Sequence, residues 1–228
     1  MGMKIDVYND PCFTLQEAQL HIYVFQVPAG TIHDWAVGRK TYKPLIEIAQ
    51  RTPPRLSFIN LVELYVLASI RRKFHIPMQN VRPAIEVIKR ELRSEHPLAE
   101  NRFKTDGIHL FIDHLGKLYN ISKGGQQTFD FVNIYLKRIE YAHSGLPTKF
   151  YPFTRLDKDD DHTPKHVTIN PKICFGRPIL ERISVPVETI SERYWAGDSH
   201  DLLKEEYQIT SEELDEAIRV GGYYLKAA

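Results

Sequence analysis

The sequence predicts a mainly α-helical chain of two modules, with one small β-hairpin in the first and a short strand in the second. Three observations carry this. Apolar residues recur at helical spacing in most segments. Only Gly107–Ser122 reads as strand, turn and strand. The charge also changes sign along the chain. Residues 1–156 hold 21 Lys+Arg against 14 Asp+Glu, and residues 157–228 hold 9 against 15. A basic module therefore precedes an acidic one, although all 228 residues together carry only +1. The expected divisions are a module over 1–156, an acidic linker over 157–166 and a small trihelical module over 167–228.

Thr14-Leu-Gln-Glu17 is a capping box, and Leu15, Ala18 and Ile22 form one helical stripe behind it. In Val27–Gly38, Pro28 suits a first turn and Gly38 a helix stop, with Ile32, Trp35 and Ala36 inward. Two short helices so joined are a helix-turn-helix candidate. After the break at Pro53-Pro54, Ser57 caps a long helix that buries Phe58, Leu61, Val62, Tyr65, Val66 and Ile70 and ends in Arg71-Arg72-Lys73. A helix over Asn80–Arg93 has Val81, Ala84, Ile85, Ile88 and Leu92 as its stripe. IHLFI and LYNIS then flank a turn at His114–Lys117, the wing of a winged domain. Phe129–Tyr141 reads as another helix. Residues 144–166, with three prolines and the acidic run 157–161, read as connecting chain. A strand at Val167–Ile169, a turn at FGRP (175–178) and helices over Pro186–Trp195, His200–Glu206 and Glu212–Tyr223 complete the acidic module.

Composition narrows the function. Two distant cysteines, Cys12 and Cys174, leave no disulfide framework or Cys-rich zinc site and fit a reducing, cytoplasmic setting. The N-terminus has no apolar core of a secretory signal, and Leu61–Ile70 is too short and too polar to span a bilayer. No nucleophile–base pair stands out, and no phosphate-loop, dinucleotide or metalloprotease motif occurs. No enzymatic activity, cofactor or metal is expected. The rival nuclease reading would place a metal at Asp106, His109, Asp113 and His114, or at Asp157–Asp161 with His162 and His166. Zinc needs convergent ligands, and runs of like charge are usually solvated.

The DNA-binding reading rests on the second short helix and the cations after it. Thr31, His33 and Asp34 face outward, Arg39, Lys40, Lys43 and Arg55 follow, and Lys117 sits on the wing. Phosphates require such cations for affinity. The helices over 198–216 fail this test, since eight acids are opposed there by Lys204 alone.

The C-terminal segment resembles a small bacterial and archaeal domain family, long of unknown function, found in VapB-type antitoxins. The motifs are Pro171, Gly176-Arg177-Pro178, Ile183, Val185, Gly197-Asp198-Ser199, Tyr207-Gln208-Ile209-Thr210 and Ala217-Ile218. The front resembles the DNA-binding domain preceding it in the larger VapB-like antitoxins, through TLQEA (14–18), VPxxTIxxW (27–35) and LSFxNLVEL (56–64). The chain departs from the family at Glu181-Arg182, where Gly-Thr is common. The resemblance implies a type II antitoxin that represses its own operon as a homodimer or larger oligomer and neutralises a PIN-type ribonuclease toxin. Arg177, Arg182 and Trp195 are the candidate partner contacts. A transcriptional regulator without a toxin, and a module whose basic and acidic parts dock within a dimer, are the alternatives.

Overall fold

A computed structural model describes residues 5–74, 78–119, 132–155 and 163–225. It is mainly α-helical, with small antiparallel sheets, and divides into two compact units, residues 1–148 and 149–228.

In the first unit, α1 (Leu15–His21) opens on the Thr14–Glu17 capping box expected from sequence. A 3₁₀ turn (Tyr23–Phe25) ends at Gln26 in the left-handed conformation and leads to α2 (Ala29–Ala36). Gly38, at φ +83°, turns the chain after α2; a side chain there would press on the backbone of Tyr42 and Pro44. The pair β1 (Gln50–Arg51) and β2 (Pro54–Arg55) then leads into α3 (Phe58–Phe74).

α3 is the centre of this unit. Every residue from Phe58 to Ile70 is buried, so the helix is enclosed on all sides and not, as the one-sided stripe suggested, on one face. Its polar residues are accordingly bonded. Asn60 Oδ1 accepts from the amides of Ala49 (3.0 Å) and Ser57 (3.1 Å). Its Nδ2 donates to the Glu47 carbonyl (2.7 Å) and to Glu63 Oε2 (3.3 Å). Glu63 in turn lies 2.9 Å from His96 Nδ1. Burial pushes the Glu63 carboxyl up, and this pairing opposes the rise.

α4 (Met78–Leu92) is followed by a tight turn (Pro97–Ala99), a wide π-type turn (Phe103–Gly107) and α5 (Ile108–Tyr119). The predicted wing over 107–122 is therefore helical over its described part. The reason is a burial period of a helix and not of a strand: Phe103, Gly107, Ile108 and Phe111 are buried, His109 and Leu110 exposed. Phe103 and Phe111 meet edge to face at 6.1 Å. A hairpin lies later, between β3 (Ile139–Tyr141) and β4 (Pro147–Phe150), turning at Gly145. The helix expected over Phe129–Tyr141 is helical at 132–136 and yields to β3; residues 129–131 lie outside the described residues.

The chain passes to the second unit within β4. Phe150, Tyr151, Phe153 and Thr154 are buried, and Phe150 bridges Ile169 by two backbone hydrogen bonds (3.1 and 2.9 Å). Residues 150–155 are folded chain because their aromatics have a core to enter. The acidic run Asp157–Asp161, with His162, lies outside the described residues. Strands β5 (Val167–Thr168), β6 (Ile179–Leu180) and β7 (Val185–Pro186) form an antiparallel meander, with Val167 opposite Leu180 and Ile179 opposite Pro186. Three helices follow: α6 (Val187–Trp195), α7 (His200–Tyr207) and α8 (Ser211–Leu225). Ser199 caps α7, and Thr210 with Glu213 forms the capping box of α8. Val167, Leu180, Val187, Ile190, Leu203, Leu214, Ala217 and Val220 make one core.

Two consequences are measurable. Asn60→Ala strands two amides and a carbonyl in the interior and should lower unfolding free energy by about 3 kcal/mol; equilibrium denaturation checks this. His21 is buried against Phe13, and burial pushes its imidazole down to about 4 from an ordinary 6.5. A depressed pKa contributes stability that is complete above 6.5 and lost as pH falls. Wild-type stability should therefore drop by roughly 3 kcal/mol from this group between pH 6.5 and pH 4. His21→Leu should flatten that stretch of the pH curve.

Candidate nucleic-acid interface

α1, its 3₁₀ turn and α2 give two short helices packed together, with α2 leading. Ile32, Trp35 and Ala36 are its buried face, and the Leu45 and Ile46 amides donate to the Trp35 carbonyl (2.8 and 3.3 Å). The opposite face begins with Pro28, Ala29 and Gly30, all exposed. No heavy atom lies within 4 Å of a side chain placed at Gly30. Sequence reasoning missed this first turn. Its signal was the run of small residues, which allows a helix and its amides to approach a phosphate backbone closely.

Of the residues singled out from sequence, His33, Arg39, Lys40 and Lys43 are exposed, while Thr31, Asp34 and Arg55 are half-buried. Arg39 Nε donates to Asp34 Oδ1 at 2.6 Å, although its side chain remains 61% exposed. That contact holds the Asp34 carboxyl below its ordinary range. The backbones of Arg39 and Tyr42 bridge each other, closing the loop after α2. Arg55 sits apart on β2, opposite Gln50. Lys117 belongs to α5, and its side chain lies outside the described residues.

Two further arginines reach α2 and the loop after it from distant helices. Arg82 of α4 lies over the Tyr42 ring at 5.2 Å and donates to the carbonyls of Pro44 (3.0 Å) and Lys43. Arg71 of α3 lies over the Trp35 ring at 6.0 Å. A sequence reading has no route to either pair, because the partners are 36 to 40 residues apart.

In the second unit, the two residues that depart from the family pattern are both engaged. Glu181 takes Lys149 and the Tyr151 hydroxyl (3.2 Å). Arg182 grips Glu213 with two nitrogens (2.9 and 3.1 Å) and donates to the Gln208 carbonyl (2.5 Å). Beside this guanidinium the Glu213 carboxyl falls to about 2. Arg177 is exposed, 3.6 Å from Glu188, and Trp195 is 64% exposed.

Burial pushes the Cys12 thiol up to about 12, so it is protonated at neutral pH. Among the described residues, no three His, Cys, Asp or Glu gather as metal ligands, and no helix is long and apolar enough to cross a membrane.

Residues 11–85 match a family model described as "Putative DNA-binding HTH domain". The N-terminal unit carries a helix-turn-helix domain. Residues 167–219 match DUF433, a "Protein of unknown function", so a helix-turn-helix domain precedes a second domain of that family. No curated protein matches the chain. The crystal structure of Rv2018 from Mycobacterium tuberculosis shares the fold. Its TM-score is 0.70 at 24% sequence identity, covering 92% of this chain and 99% of that one.

The Arg182–Glu213 pair gives a pH-dependent expectation. A depressed carboxyl stabilises above its ordinary value of 4.5 and ceases to as pH falls toward 2. Arg182→Ala should lower stability at pH 7. The difference from wild type should shrink through pH 4 toward pH 2 in denaturant titrations.

Proposed function

We propose that this chain is an antitoxin of the VapB type, a cytoplasmic regulator without enzymatic activity that binds operator DNA through its first unit. The observation that carries the reading is the exposed, small first turn of α2 followed by the cationic loop of Arg39, Lys40 and Lys43, within a helix-turn-helix domain. A recognition helix contacts base edges with its N-terminal residues, and flanking cations meet phosphates. Thr31, His33 and Asp34 are the proposed base-facing residues. Arg39, being tied to Asp34, both orients that carboxylate and offers its outer nitrogens to phosphate. Lys40 and Lys43 carry the rest of the backbone contact, with Arg55 and Lys117 at its margins.

The second unit is the proposed protein-binding module, serving oligomer formation and a cognate PIN-type ribonuclease toxin. Its outer contacts are Arg177 and Trp195. Arg182 is proposed with them, its side chain 53% exposed while it also holds the start of α8.

Fluorescence anisotropy with the upstream DNA tests the first half. Lys40→Ala with Lys43→Ala should reduce the slope of log affinity against log salt by about 2 and weaken all sequences alike. Gly30→Glu should abolish binding while leaving thermal unfolding unchanged. Undiminished binding by Gly30→Glu would refute the assignment of α2. Co-expression with the product of the neighbouring reading frame tests the second half: a complex that suppresses a ribonuclease supports an antitoxin, and DNA binding without any such partner supports a plain regulator.

A further inference from the structure

The least expected surface feature lies in the second unit, on the loop between β5 and β6. Phe175 is 91% exposed, more than any other large apolar residue described. Its backbone is unusual too. Cys174, Phe175 and Gly176 adopt φ of 48°, 56° and 78° in succession, a left-handed run that only the glycine takes without strain. The loop is nonetheless well held. The Lys172 amide donates to Asn170 Oδ1 (3.0 Å), and the amides of Ile173, Gly176 and Arg177 close successive turns at 3.0 to 3.1 Å. Pro171, Gly176 and Pro178 are buried at its base. A firm base thus presents a phenyl ring to water in a conformation that costs the fold twice, by backbone strain and by apolar exposure. Such a combination points to use elsewhere.

We propose that Phe175 is the knob of a self-association contact, and that its socket is the face formed by the end of α6 and the start of α7 on a second copy of this chain. Two observations select this occupant. The same unit exposes Trp195 at the end of α6 and Leu202, 46% exposed, in the first turn of α7. The Tyr194 ring lies 5.2 Å from Trp195 and 5.0 Å from His200, so the end of α6 meets the first turn of α7. The charges around knob and socket are opposite. Lys172 and Arg177 flank Phe175, whereas exposed Glu192 lies one helical turn before Trp195 and exposed Glu205 one turn after Leu202. A twofold arrangement places each knob in the other's socket, which closes the assembly as a dimer. This deepens the oligomeric regulator proposed above, since two linked recognition helices read two half-sites.

Sedimentation velocity on the full chain, from low micromolar to near-millimolar concentration and without DNA, tests it. Wild type should dimerise, more tightly at low salt. Phe175→Gly should raise the dissociation constant roughly tenfold or more, and Trp195→Ala should do the same. At a dilution where both proteins are monomeric, Phe175→Gly should also unfold at an equal or higher temperature, because glycine relieves the left-handed strain. A wild type that stays monomeric, or a Phe175→Gly variant that dimerises as wild type does, overturns the proposal. So does a lower unfolding temperature for Phe175→Gly at that dilution, which would mean the ring packs within its own chain. Unchanged dimerisation with lost binding of a co-expressed toxin would overturn it as well and assign the knob to that toxin. Because no DNA is present, failure here leaves the operator-binding reading standing.

Discussion

The first unit depends on the hydrogen bonds that Asn60 makes from inside α3. A helix buried on every side gains apolar contact all round, but it must satisfy any polar group near its start without water. Asn60 uses both amide atoms for this, tying α3 to the segment arriving from α2 and to its own cap. Ala49 and Glu47 belong to the segment arriving from α2, and that segment is fastened to α2 through the Leu45 and Ile46 amides on Trp35. Ser57 is the cap of α3 itself. On the other side, the Cys12 and Phe13 amides and the Phe13 carbonyl pair with Leu56, fixing the entry to α1. The orientation of the helix-turn-helix on α3 therefore follows from backbone polar groups that must be paired, with Asn60 as the shared partner.

The second unit solves a different problem, that of packing three short helices closely. α6 and α8 approach at Ser191 and Gly221, where a methyl group on residue 221 would collide with the Ser191 side chain. The approach brings the acidic first half of α8 against the meander, where burying carboxylates without partners would be costly. Arginines from outside α8 answer this. Arg155 reaches Glu216 at 2.6 Å, a carboxylate only 1% exposed, and Arg182 reaches Glu213. Arg193 similarly binds Asp198 (2.7 Å) and Glu206 (2.5 Å), joining α6 to α7.

These facts explain what the sequence disclosed. Caps were legible, because a capping box needs only two residues three apart: Thr14 with Glu17, Thr210 with Glu213. Helices with a one-sided stripe were legible as well. The segment 108–119 was misread because IHLFI is short, apolar and rich in β-prone residues, a pattern that period alone assigns poorly. Its helix follows directly on the turn at Phe103–Gly107, where Phe111 packs on Phe103 and Gly107 lies close to Ile88 and Leu92 of α4. β3 followed a helical stripe so directly that Ile139 fitted both. At the candidate interface, the exposed side chains after α2 were visible in the order of residues. The Arg39–Asp34 contact and the reach of Arg71 and Arg82 were not, since they depend on where α3 and α4 lie.

The charge pattern gains a structural cause once the contacts are known. Divided where the units divide, residues 1–148 carry 19 basic against 14 acidic groups and residues 149–228 carry 11 against 15. The two cations that change sides, Lys149 and Arg155, are bonded to Glu181 and Glu216. Their chemistry belongs with the acidic unit despite their place in the basic stretch. Among the described residues of the second unit, most cations are bonded to its own carboxylates. In the first unit Lys40 and Lys43 remain at the surface beside α2. A near-neutral total therefore conceals two units of opposite sign: Lys40 and Lys43 are exposed beside α2, whereas Lys149, Arg155, Arg182 and Arg193 of the second unit are bonded to its carboxylates.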